Sequence, residues 1–203
     1  MSYPPFFDLV PRVRLRDPLA AFLGAFDDGL IEYGYPDAVR LAGHSCPTVA
    51  GAYGLTRLAL AALYDDAVPE RGAVRVSFRE SGSEGVTGVI ANVVSLLTGA
   101  TADTGFKGLA GRFDRRHLLA FDAAQPLALR FARVDTGRAV DAEAHLRHVP
   151  ADAQMAPLMQ RCLGGMAGPD EARLFRELWQ ARVRRVLLDH GNDPAVFAIR
   201  PAD

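Results

Sequence analysis

Apolar residues near the C-terminus recur at three- and four-residue spacing. Leu174, Phe175, Leu178, Trp179, Val183, Val186 and Leu187 predict an amphipathic helix that Pro169-Asp170-Glu171 opens and Gly191 closes. The stretch TVAGAYGLTRLALAALYDD, which begins at Thr48, is almost free of charge before Asp65. It predicts a helix starting at Pro47 and buried on most sides. Residues 73–79 alternate, with Val74, Val76 and Phe78 on one face and Arg75, Ser77 and Arg79 on the other, as in a half-buried strand. Beyond the glycine-rich turn ESGSEG, the run GVTGVIANVVSLLTGA is β-branched but does not alternate. It predicts a second buried helix whose small residues let it lie close to the first.

Further strands are expected at 117–121, 127–134 and 139–146, with Asp135-Thr136-Gly137 turning the chain between the last two. Asp17-Pro18 is an N-cap followed by proline at the first helical position, predicting a helix through LAAFLGAF to the Asp27-Asp28-Gly29 turn; a short helix follows at 36–41. After Pro150 only helical patterning is expected. The fold class is α+β: helices packed on a largely antiparallel sheet, with a helical C-terminal extension. An α+β core over 1–150 would carry an extension, 151–203, packed on the core or on a dimer partner.

Composition narrows the function classes. With 203 residues, 49% of them hydrophobic, the chain supplies one substantial core. A formal net charge of −1 gives no global field for nucleic acid or an anionic membrane, so neither partner is expected. No apolar run reaches the roughly 20 residues needed to span a bilayer, and the N-terminus lacks a secretory pattern, so the expected location is cytoplasmic. The two cysteines, Cys46 and Cys162, are expected as reduced thiols, Cys162 in the core. One lysine, Lys107, stands against 22 arginines, and its flexible point charge would suit a positional need in GFKG.

The chemistry concentrates in LAGHSCPTVAG, residues 41–51. If Pro47 starts a helix, Cys46 is its N-cap, and the positive helix end favours the thiolate. His44, two residues earlier, can turn the same way. Together they offer one nitrogen and one sulfur to zinc, nickel or copper. Zinc takes three or four ligands, so others must come from Glu80 or Glu84 beside the glycine turn, from Asp135, His117, His145 or His148, or from a second subunit. The alternative is a capping cysteine beside a hydrogen-bonded histidine. On a strand, His145 and His148 would point to opposite faces. GSEGVTG matches neither the GxGxxG nor the P-loop pattern, and Ser45 and Ser95 lack a nucleophile-elbow context.

His44-Ser45-Cys46-Pro47 before a small-residue helix, then Leu97-Thr98-Gly99-Ala100-Thr101 with Lys107 shortly after, resembles the core of the FmdE family, named after the E subunit of formylmethanofuran dehydrogenase. The resemblance covers roughly residues 40–125. It implies an α+β core that dimerises, with the histidine and cysteine near a metal-binding pocket. The family's helix pattern C-x-x-D-A-I-Q-x-x-T-G-C-T reads V-I-A-N-V-V-S-L-L-T-G-A-T here, with Val89 and Ala100 at the cysteine positions and Asn92 at the aspartate. The lysine after the TG turn comes one residue later, and the cysteine-rich finger of some members is absent. The implied function is a homodimer holding a transition metal, zinc first, through His44 and Cys46, with Glu80 or Glu84 as added carboxylates. Metal-assisted chemistry on a small molecule would follow, Lys107 holding an anionic group. The alternatives are haem bound through Cys46-Pro47, with His44 as a neighbouring axial ligand; a metal-free thiol enzyme with Cys46 as nucleophile and His44 as base; and a structural dimer in which GHSCP only caps a helix.

Overall fold

The nearly uncharged helix that opens at Pro47 is the centre of the molecule. In the computed structural model, which describes residues 3–202, α3 (Pro47–Tyr64) is buried over most of its surface. Small residues set how closely its neighbours approach. A Cβ at Gly54 would lie 2.9 Å from the Phe197 ring, and one at Gly51 would lie 3.1 Å from a Leu146 methyl. The helix therefore lies directly on the sheet.

That sheet has five strands in the order β4-β3-β5-β6-β7: β3 (Val74–Phe78), β4 (Leu119–Ala120), β5 (Leu129–Arg133), β6 (Ala139–Ala144) and β7 (Phe197–Ala202). Only the β3–β4 pair is parallel. The register aligns Val76 with Phe131 and Phe131 with Val140, so the inward rows form one apolar surface. On the opposite face Arg130 clasps Asp141 through two bonds of 2.7 and 3.0 Å. A separate antiparallel ribbon, β1 (Val13–Arg16) with β2 (Leu30–Tyr33), flanks the core. Between its strands lies α1 (Pro18–Phe22). The other helices are α2 (Tyr35–Ala42), α4 (Thr87–Thr98), α5 (Met155–Leu163) and α6 (Pro169–Arg184). α4 packs on α2 and α3, and α5 on α6.

The fold is α+β, as the patterning predicts. Several local expectations are corrected. The 117–121 strand is only the two-residue β4, because Leu118 and Leu119 both turn their N–H groups to Thr101 O. The strands expected at 127–134 and 139–146 are shorter, as β5 and β6. α1 stops at Phe22 because the chain turns through Gly24 at φ +67°, leaving Phe22, Leu23 and Phe26 exposed. The region after Pro150 is not helical throughout. α6 continues through one π-helical turn, Arg185–Asp189, and then β7 enters the core sheet as an edge strand, where Pro201 is tolerated. Cys162 is half-buried on α5, not a core residue.

A buried charge cluster ties ribbon to core. Asp17 caps α1 by accepting from Leu19 N at 3.0 Å and Ala20 N at 3.2 Å. It also accepts from Arg71 Nη1 at 2.9 Å and Arg115 Nη2 at 2.7 Å. Burial alone would raise its carboxyl pKa; the hydrogen bond from Arg71 and the charge of Arg115 more than offset this, and the net direction is below the ordinary 3.8. A depressed folded value means that the stabilisation is present above the ordinary value and is lost as pH falls through the folded one. Asp17→Asn keeps the cap and removes the charge, so it should cost about 3 kcal/mol at neutral pH. The gap to wild type should close as pH falls below the ordinary carboxylate value, as read by urea denaturation across the acid range.

Candidate functional site

α2 ends at Gly43, whose φ of +74° and bond to Val39 O turn the chain out of the helix. His44 follows, exposed to solvent, with Nδ1 2.9 Å from Ala42 O. With the proton on Nδ1, that carbonyl accepts it and leaves Nε2 free as an acceptor or ligand. Ser45 is held from both sides. Its Oγ meets the Tyr35 hydroxyl at 2.9 Å and Gln180 Oε1 at 3.0 Å, while its carbonyl accepts from Trp179 Nε1 at 2.9 Å. α6 thus covers the segment before α3.

Cys46 is the N-cap of α3, as expected. Its Sγ accepts from Val49 N at 3.4 Å, and the residue is 9% exposed. The sulfur lies beside Tyr35. Burial pushes the Tyr35 hydroxyl pKa well up; the bond with Ser45 opposes that push, and the neighbouring sulfur adds to it. Tyr35 in turn packs edge-on against Tyr53, with ring centroids 5.7 Å apart.

The opposite face of α3 borders a cleft. At about 3.6 residues per turn, Thr48, Gly51, Ala52 and Leu55 share one side, away from Val49, Ala50 and Tyr53. They form one wall of a cavity of about 230 Å³, with Val86 and Ile90 of the α4 region and Leu129 opposite. Glu80 stands at the mouth, where Oε2 accepts from Thr87 Oγ1 at 3.0 Å. Glu143 belongs to the outward row of β6, where its Oε1 lies 3.7 Å from His145 Nδ1. Glu80, Glu143 and Arg79 are the charged residues that line this cleft.

The predicted residues fall in different places. Glu80 lies at the cleft mouth and Cys46 on the far side of α3; Glu84 is exposed in the turn before α4, and Lys107 is exposed in the loop leading to β4. Asp135 is engaged by Arg133, whose Nε and Nη2 donate at 3.0 and 2.6 Å and hold its carboxyl near a pKa of about 2. His117 is exposed. His145 and His148 do not point apart as a strand would have them. A 3-10 turn, Leu146–His148, brings their rings to 6.0 Å. Among the described residues, no group of three or more His, Cys, Asp or Glu side chains is placed to hold a metal ion. No helix among them is long and apolar enough to cross a membrane.

The small-residue stripe on α3 was visible as composition, yet its role as a cleft wall depends on where α4 packs. The Trp179–Ser45 contact spans 134 positions and leaves no local signal. No protein-family model matches the chain, and no curated protein matches it in sequence.

Two outcomes check the reading of Cys46. Cys46→Ser should leave stability within about 0.5 kcal/mol, because a hydroxyl also accepts at an N-cap, whereas Cys46→Ala should lose about 1 kcal/mol in chemical denaturation. In a thiol titration of the folded protein, Cys162 should react first and Cys46 slowly, its rate rising only on unfolding.

Proposed function

We propose that this protein binds a small molecule with an apolar body and a basic group, held in the cleft between α3 and α4 with Glu80 at its mouth. The observation that supports the reading is the cleft itself: a concave, mainly apolar space lined by two carboxylates, Glu80 fixed by the Thr87 hydroxyl and Glu143, and by Arg79, whose Nη1 donates to Pro126 O at 3.2 Å. Gly51 and Ala52 leave the room, and the apolar walls exclude water from the body of the ligand. Glu80 supplies charge recognition at the solvent end.

A second reading follows from His44 and Cys46: a transition metal, zinc first and nickel or copper next, in an FmdE-like setting. The contact of His44 Nδ1 with a backbone carbonyl favours it, since a metal-ligating imidazole commonly donates its other ring N–H to such an acceptor. Cys46 offers its sulfur at the N-cap of α3, where it accepts from Val49 N. The remaining ligands would come from a second copy of the chain, and a homodimer belongs to this reading.

The two readings separate experimentally. Benzylamine and cyclohexylamine, titrated by calorimetry, should bind saturably to wild type and about ten-fold more weakly to Glu80→Gln, and Val86→Trp should block the cleft without unfolding the protein. Equal affinity in all three proteins, or no saturable binding by either amine, would overturn the cleft reading. For the metal, elemental analysis of untagged protein should show near-stoichiometric metal that is lost in both His44→Ala and Cys46→Ser. A wild type that stays metal-free after reconstitution with zinc, nickel and copper would overturn that reading.

A further inference from the structure

A second cavity, of about 480 Å³, lies on the other side of the molecule, where α1, the turn before β3 and the loop before β4 meet. Arginines dominate its lining: Arg71, Arg112 and Arg115. Arg115 is only 5% exposed, an unusual burial for a group that is charged at every accessible pH. Its Nη2 donates to Asp17, but its Nη1 is enclosed and has no hydrogen-bond partner. Arg71 uses Nη1 on the other oxygen of the same carboxylate and Nε on Leu96 O at 3.1 Å. Two guanidinium groups therefore share one carboxylate.

The carboxylates on the cavity wall do not restore the balance. Asp114 is occupied by Arg116, whose Nε and Nη2 donate at 3.0 and 2.7 Å and hold its carboxyl at a pKa of about 2. Glu70, exposed to solvent, is the other carboxylate of the lining. The backbone is shaped around the buried guanidinium. Gly72 has φ +90° and Gly99 φ +73°, and a Cβ at either would run into the Arg115 side chain. Arg112 lies over the Phe113 ring, 4.7 Å from its centroid, which holds its guanidinium at the cavity wall. Arg115 N donates to Phe106 O at 2.9 Å, which puts Lys107 one residue from this junction.

We propose that this cavity is an oxyanion site, taking the phosphate or carboxylate group of a small molecule. The anion supplies the counter-charge that Asp17 alone cannot give to Arg71 and Arg115, and Arg112 presents the planar, two-pronged donor suited to such groups. This site is separate from the α3–α4 cleft and does not depend on what that cleft binds.

Arg115 is structural as well as charged, so Arg112 at the wall is the residue to vary. Calorimetry on the full chain in low-chloride buffer would use inorganic phosphate, pyrophosphate and succinate as probes. At least one should bind saturably to wild type, about ten-fold more weakly to Arg112→Ala, and more weakly still to Arg112→Glu, with unchanged circular dichroism in both variants. Binding by the phosphates alone assigns a phosphoryl ligand, binding by succinate alone a carboxylate, and binding by both supports a general oxyanion site. No saturable binding of any probe to wild type, or equal affinity in both Arg112 variants, would overturn the proposal.

Discussion

Close approach of α3 to the sheet is the constraint on which the rest of this structure depends. A helix with ordinary side chains at positions 51 and 54 would stand off from Leu146 and Phe197, and the inward row of β5 and β6 would lose its cover. The same helix contacts α2, α4, α6 and three strands, so one spacing is shared by every layer. Glycine at these positions sacrifices some helix propensity to gain that proximity. The space left on the adjoining face, lined by Thr48, Gly51, Ala52 and Leu55, is the α3–α4 cleft.

Polar groups are placed where this apolar packing ends. Asp17 closes the first turn of α1 and joins two arginines that come from distant parts of the chain. Ser45 joins α2 to α6 through Tyr35, Gln180 and Trp179. Each cluster fixes a loop whose backbone has no regular ladder of its own. The two candidate ligand regions lie beside these anchored loops, where rigid backbone can hold a side chain in a set position.

The long elements were legible because each carries its own signal. α3 has a proline at its first position and almost no charge, α6 has a 3.6-residue stripe, and β3 alternates strictly. Asp17 announced its cap through the proline that follows it. Other features were hidden for identifiable reasons. β7 contains Arg200 and Pro201, which an edge strand accepts but which break a strand pattern read locally. The pairing of His145 with His148 depends on a single 3-10 turn that converts opposite faces into one. At the candidate site, GHSCP gave the helix start and the cap, yet the side of α3 on which Cys46 falls required the position of Tyr35. The burial of Arg115 required two glycines and an aspartate far away in the chain.

The placement of β7 has a consequence for how the molecule is made. Its six residues pair with β6, more than fifty positions earlier, and Phe197 covers Gly54. During synthesis every other described element emerges before this strand. Until residue 197 clears the ribosome, the edge of β6 and part of the α3 surface stay exposed, so the nascent chain passes through an aggregation-prone stage that ends only when its final strand docks.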